Sequence, residues 1–308
     1  MAPRRRGGAD IVRPFRILAG PSGRRLVTAI PFIWLAVFFL APFAIVFGIS
    51  LSQSRFGIPP YEPLIRGGEI LARLDNYSFL LSDALYINAL LNSLQIAATS
   101  AIICLLIGYP IALGIARAPQ QWRAPLLLAV ILPFWTSFLI RVYAWIGLLK
   151  NDGLINNLLE IVGLIDAPLQ LLQTSFAVHL GIVYSYLPFM VLPLYAALER
   201  QDTSLLEAAS DLGARPWRAF VTITLPLSMP GVIAGFLLVF IPAVGEFVIP
   251  ELLGDSATAM IGKVLWTEFF NNRDWPLASA LAVSILVLIV APLAWLEHMR
   301  HRRANALS

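Results

Sequence analysis

The sequence predicts an all-α membrane protein with six transmembrane helices and both termini on the cytoplasmic side. Composition is the first sign: of 308 residues, 58% are apolar and only 13% charged, against about 25% charged in ordinary soluble domains. The second is a series of uncharged runs, 29 residues (Leu26 to Ser54), 33 (Ala84 to Ala116), 32 (Ala167 to Leu198), 27 (Ala219 to Gly245) and 22 (Trp275 to Leu296). Each exceeds the roughly 20 residues a helix needs to cross the hydrocarbon layer. The third is charge sorting. With the spans alternating in direction, 15 Lys and Arg fall on the side that holds both termini and 6 on the other, so the first side is cytoplasmic by the positive-inside rule. A soluble single-core domain is excluded, and the basic excess reads as membrane sorting rather than as a nucleic-acid surface.

Taken in order, residues 1–27 form a basic cytoplasmic tail, MAPRRR with Arg24 and Arg25 among them, suited to anionic headgroups. The membrane domain covers 28–297, with spans at about 28–51, 88–116, 124–149, 174–198, 230–250 and 277–297, and residues 298–308 form a second cytoplasmic tail. The first run is too long for a signal-peptide apolar region and no small-residue cleavage site follows it, so it reads as an uncleaved anchor. Residues 52–87, with Pro59, Pro60, Pro63 and Gly67-Gly68, form an irregular outer segment. The third span is a run of 17 residues (Ala124 to Ile140), then Arg141, then 8 more to Leu149. Pro42, Pro110, Pro133, Pro188, Pro193 and Pro242 fall inside spans and predict kinked, bundled helices. Gly231 and Gly235 form a small-xxx-small face for close helix approach. A single cysteine, Cys104, allows no intrachain disulfide, and with only His179, His298 and His301 neither a metal cluster nor a Cys-His nucleophile is expected.

The loop between spans four and five, residues 199–229, is the most informative segment. Ser204 followed by Glu207 fits a capping box and predicts a helix from Thr203 or Ser204. Gly213 ends it in the left-handed conformation, and Pro216 opens a second helical turn. The result is a hairpin on the cytoplasmic side, in which Ala208 and Ala209 offer a small, smooth surface while Leu205, Leu206 and Leu212 are too apolar all to face water.

Here the sequence resembles binding-protein-dependent ABC importer permeases. Glu207-Ala208-Ala209, Gly213, Ile223 and Leu225-Pro226, at their spacing, match the EAA motif of that family. The resemblance implies the type I importer permease fold, a bacterial inner-membrane location, and a coupling helix that docks in a cleft of a separate ATPase. It also implies two ATPase copies, a second homologous permease and an external solute-binding protein. ATP and Mg are then used by the ATPase and no cofactor is bound by this chain. Its only lysines are Lys150 and Lys263, and Gly262-Lys263 is followed by Val264, so it has no phosphate-binding loop of its own. A transport subunit rather than an enzyme is expected.

Within that family, stretches such as 132–149, 186–198, 238–254 and 260–280 look like putrescine/spermidine permeases, closest to the putrescine type. Asp255 stands where that pattern usually has a second glycine. A polyamine needs carboxylates, carbonyls or aromatic faces in place of its hydration shell. Trp135, Tyr143 and Trp145 are aromatic candidates for the path, with interfacial or packing roles as the competing reading. Arg141 and Glu246 both fall roughly 25 Å from the cytoplasmic face if their helices are straight. They are either a structural ion pair, or Glu246 faces the pore and meets an ammonium group. A permease for ferric iron, sulfate or another small solute is the neighbouring alternative. A channel or membrane enzyme without an ATPase is the alternative of a different class.

Overall fold

The computed structural model describes residues 21–66, 69–255 and 258–306. Most of the basic tail, residues 1–20, lies outside them. The regular elements among the described residues are helices and one pair of two-residue strands. It divides into two units, residues 1–77 with 274–284, and residues 78–273 with 285–308.

In the first unit, helix α1 (Pro21–Leu35), a π-helical turn (Ala36–Leu40) and α2 (Ala41–Ser50) follow without a break. Residues 21–27 are therefore helical rather than part of a tail. Within the apolar stretch Thr28–Ser50 that follows, the most apolar window buries nothing within the chain and only Ser50 at its end is buried, as expected of a helix whose solvent is lipid. The outer segment carries the strand pair β1 (Ile65–Arg66) and β2 (Glu69–Ile70), antiparallel. Asn76 ties it back, its side-chain amide donating to the carbonyls of Ser50 and Ser52 at 2.9 Å each.

The second unit holds the core. After α3 (Asp75–Ser82) comes α4 (Ala84–Arg117), capped by the Asp83 carboxylate, which accepts from the Leu85 amide at 2.8 Å. Helix α5 (Gln120–Ile131), a 3₁₀ turn (Leu132–Trp135), α6 (Phe138–Leu149) and α7 (Leu154–Ile161) follow, then α8 (Ser175–Glu199), α9 (Ser204–Asp211), α10 (Pro216–Ala219), a π turn (Phe220–Thr224) and α11 (Leu225–Val244). Short helices α12 (Val248–Leu253) and α13 (Ile261–Trp266), with a π turn (Thr267–Asn271), lead to α14 (Trp275–Ala306).

Helices α4, α8 and α11 pack on one another to form the core. Most of the buried residues of α4 are small, Ala89, Ser93, Ala97, Ser100, Ala101, Cys104, Gly108 and Ala112, beside the larger Tyr86, Ile96, Tyr109 and Ile115. In a membrane, where apolar burial gives no preference for helix over lipid, such a face holds helices together by close backbone contact. Gly231 and Gly235 do the same on α11. A Cβ on Gly231 would lie 2.6 Å from Ala197 Cβ and 2.7 Å from the Pro193 carbonyl, and one on Gly235 would lie 2.8 Å from Met190 Sδ. The small-xxx-small face is therefore the α8–α11 contact.

Two expectations of helix geometry are corrected. The third span is not continuous: segments Gln120–Trp135 and Phe138–Ile161 are bent by 85°. Pro133 lies in the 3₁₀ turn, and Thr136 and Ser137 are extended, so the ladder stops there. Among the described residues, five continuous helices are long and apolar enough to cross a membrane, with a sixth crossing if the bent pair is one span. The fifth span begins at Pro216 rather than near 230 and ends at Val244 rather than 250, a stretch of 29 residues. The π turn at Phe220–Thr224 joins its two parts, bonding the Leu225 amide back to the Phe220 carbonyl. That widened turn comes one residue before Pro226, which has no amide to donate.

Candidate functional site: the coupling hairpin and two buried charges

The hairpin is built by local hydrogen bonding. Helix α9 starts at Ser204, as the sequence predicts, but the capping box does not form. Thr203 is already helical, with no side-chain cap. Asp202 acts instead, its Oδ1 accepting from the Ser204 amide at 2.9 Å. That bond holds the Asp202 carboxyl below the usual carboxylate range. The sequence signal for this cap was an Asp two residues ahead of the helix, an Asx turn.

The helix ends at Gly213 with φ +76°. The Gly213 amide donates to Ser210 O and the Ala214 amide to Ala209 O, both at 2.9 Å, the paired bonds of a Schellman motif. Two motif positions, Ala209 and Gly213, are thus partners in one helix stop. Gln201 closes the base, its amide donating to Thr224 O at 3.0 Å, and Arg123 reaches Glu199 at 3.4 Å. Tyr109 and Ser228 share a hydrogen bond of 2.8 Å just above.

Glu207 and Ala208 are exposed and Ala209 half-buried, while Ile223 lies in the π turn and Leu225 and Pro226 open α11. Leu212 is 89% and Trp217 69% exposed. The tip is a small apolar surface with one acid in the first turn of its helix, where the helix dipole favours it. An open cleft of about 590 Å³, lined by Pro193, Ala197, Arg200, Leu205 and Gly231 among others, lies where the hairpin leaves α8 and α11.

Arg141 and Glu246 form no ion pair. Glu246 sits past the end of α11, 8% exposed. Its Oε1 accepts from the amides of Val248 (3.1 Å) and Ile249 (3.4 Å), and its Oε2 from the Tyr186 hydroxyl at 2.5 Å. Arg141 lies over the rings of Phe134 (4.7 Å) and Phe138 (5.8 Å), and its buried Nε and Nη1 have no hydrogen-bond partner. The physical reason is geometric. The depth match assumed two straight helices, whereas one is bent before Arg141 and the other ends before Glu246. Tyr186, 60 residues from Glu246, has no signal in a single sequence.

The aromatic candidates do not converge. Trp135 and Tyr143 are exposed, and Trp145 is half-buried with its ring edge-on to Tyr184 at 5.4 Å. Sequence reading missed three rings that do converge, Phe247, Trp266 and Phe270, stacked in series at 4.3 and 4.0 Å.

Residues 108–304 match the family model described as binding-protein-dependent transport system inner membrane component. The chain belongs to that family. It is 41% identical over 266 residues to the spermidine/putrescine transport system permease protein PotB of Haemophilus influenzae, covering 86% of this chain and 90% of the relative. It is 40% identical over 257 residues to PotB of Escherichia coli, covering 83% and 90%. Among solved structures, a bacterial ABC transporter involved in the import of the acidic polysaccharide alginate superposes with a TM-score of 0.68 at 19% identity, covering 94% of this chain and 99% of that one. A second alginate transporter structure, in complex with an alginate-pentasaccharide-bound periplasmic protein, has the same TM-score. The fold is therefore that of an ABC importer permease, and the chain is a multi-pass inner-membrane permease subunit, homologous to PotB. Because a transporter of a polyanion shares this fold, the fold does not choose the cargo.

Proposed function

We propose that this permease forms half of the translocation path of an ATP-driven polyamine importer, carrying spermidine or putrescine inward. A second, homologous permease forms the other half, and an external binding protein delivers the cargo. Two ATPase subunits, which use ATP and Mg, grip the hairpins. Closure of the ATPases on ATP pushes on α9. The Gln201–Thr224 bond and the continuity of Pro216–Val244 carry that displacement into α8 and α11, and the cavity alternates between inward- and outward-facing states. Both termini and the hairpin face the cytoplasm.

What carries the polyamine reading is the 41% identity to a spermidine/putrescine permease over most of both chains. What carries the coupling reading is a rigid, doubly stopped helix presenting Glu207 and Ala208 outward. The test is uptake by vesicles holding the reconstituted complex, using labelled spermidine, putrescine, ferric iron and sulfate, with and without ATP. ATP-dependent accumulation of a polyamine is expected. Selective uptake of iron or sulfate refutes the cargo, and uptake indifferent to ATP refutes the importer. Glu207→Ala is expected to uncouple ATP hydrolysis from transport or to weaken co-purification of the ATPase. An unchanged transport rate refutes the role given to the hairpin.

A further inference from the structure

We propose that Tyr109, on α4, is the positioning residue that sets the register of the joint between the coupling hairpin and α11, and so the direction in which the hairpin meets its ATPase. This rests on the coupling reading above and assigns a residue to it. The joint is the π turn Phe220–Thr224, closed by the Leu225 amide on the Phe220 carbonyl. Tyr109 touches both ends of it. Its ring stands edge-on to the Phe220 ring, with centroids 5.6 Å apart and planes at 87°. Its hydroxyl lies 2.8 Å from Ser228 Oγ, which in turn donates to the Leu225 carbonyl at 2.9 Å. A serine hydroxyl has a single proton. With that proton on Leu225, Tyr109 is the donor to Ser228, and a chain of two hydrogen bonds runs from α4 to the residue that closes the turn.

The joint needs such a contact. A π turn holds about one residue more than an α-helical turn, so its conversion to α-helix rotates α10, and the hairpin it closes, by about 100° about the axis of α11. Pro226 has no amide, which leaves one carbonyl of the joint without a helical partner in either form. Local backbone bonding therefore does not select the π form strongly, and the choice falls to contacts from other helices. Two reach the joint: Tyr109 from α4, and Gln201 from the end of α8, whose amide donates to the Thr224 carbonyl at 3.0 Å.

Tyr109, Thr224 and Ser228 are all buried, where no solvent competes for the hydrogen bonds. A ring that served only to fill the core would work equally well as phenylalanine. The hydroxyl is the part of Tyr109 that reaches Ser228 and, through it, Leu225.

The experiment uses the full complex in vesicles with its binding protein and labelled spermidine, reading uptake, ATP hydrolysis and amide exchange over residues 220–225. Tyr109→Phe keeps the ring against Phe220 and removes the hydroxyl. It is expected to assemble, to speed exchange over 220–225, and to raise the ATP hydrolysed per spermidine imported about fivefold, the factor equivalent to about 1 kcal/mol. Ser228→Ala is expected to act alike, and the double variant to be no worse than either single one, because both cut the same chain. Exchange is read whatever the cargo. With Glu207→Ala run alongside and uncoupled, a wild-type ratio and wild-type exchange in Tyr109→Phe overturn the clamp and leave the coupling reading standing. Additive losses in the double variant give the two residues separate roles and overturn it too, as does a Tyr109→Phe chain that no longer assembles. A wild-type ratio in Glu207→Ala removes the coupling reading and the clamp with it.

Discussion

A methyl group added at Gly231 probes the contact on which the membrane core depends. In ordinary contact two carbons sit about 3.5–4.0 Å apart, but a Cβ at Gly231 lies 2.6 Å from Ala197 Cβ, 2.7 Å from the Pro193 carbonyl and 3.3 Å from Leu194 Cα. Two of these neighbours are backbone and the third is a Cβ, so no side chain can rotate away. Helices α8 and α11 must therefore part by about 1 Å. Overpacking of this kind costs about 1–3 kcal/mol, while glycine-to-alanine exchange in a helix returns roughly 0.5–1 kcal/mol. The steric cost wins, and Gly231→Ala is expected to lower the thermal midpoint of the purified protein. Gly114, in α4, is the control, because its Cβ would meet nothing within 4 Å. Gly114→Ala is expected to leave the midpoint unchanged or raise it. If the two variants melt alike, the α8–α11 contact is not as close as described, and the packing argument fails. Because Gly231 also lines the cleft at the hairpin base, loss of coupled transport is expected alongside the lower midpoint.

Gly213→Val tests the helix stop. Its φ of +76° costs a β-branched residue about 1–2 kcal/mol, and nothing crowds the site, so the expected result is faster amide exchange at position 213 and at Ala214 with the core unchanged. Slow exchange there shows that the left-handed turn does not hold the hairpin. Exchanging the charges at positions 141 and 246, Arg141→Glu with Glu246→Arg, is expected to give no recovery of transport over either single change, because each residue has other partners. Full recovery in the double variant points to a direct pair in some state of the transport cycle.

The apolar spans, the hairpin and the small-xxx-small glycine spacing were legible from the sequence because each depends on neighbours along the chain, whereas the partner of those glycines was not. A run of 33 uncharged residues has few structures open to it in lipid other than a helix. Gly213, nine residues after the polar start at Ser204, ends the hairpin helix through bonds reaching back up to five residues. The capping atom was misassigned even so: Thr203 is helical, so the amides of Leu206 and Glu207 that a Ser204 cap would take already donate to the Thr203 carbonyl, and Asp202 caps the Ser204 amide instead.

Pairing across the fold was decided only by the tertiary structure. Whether Arg141 meets Glu246, whether Tyr186 does, and whether Phe247 stacks on Trp266 all depend on where helices bend and stop. An 85° break at Thr136 and a helix end at Val244 separate two charges that straight helices would have placed at one depth. The sequence by itself determined which segments enter the membrane and where the cytoplasmic hairpin turns, since hydropathy and turn chemistry are local. Which side chains face one another was decided by packing among α4, α8 and α11, because steric fit between distant segments leaves no periodic trace in a single chain.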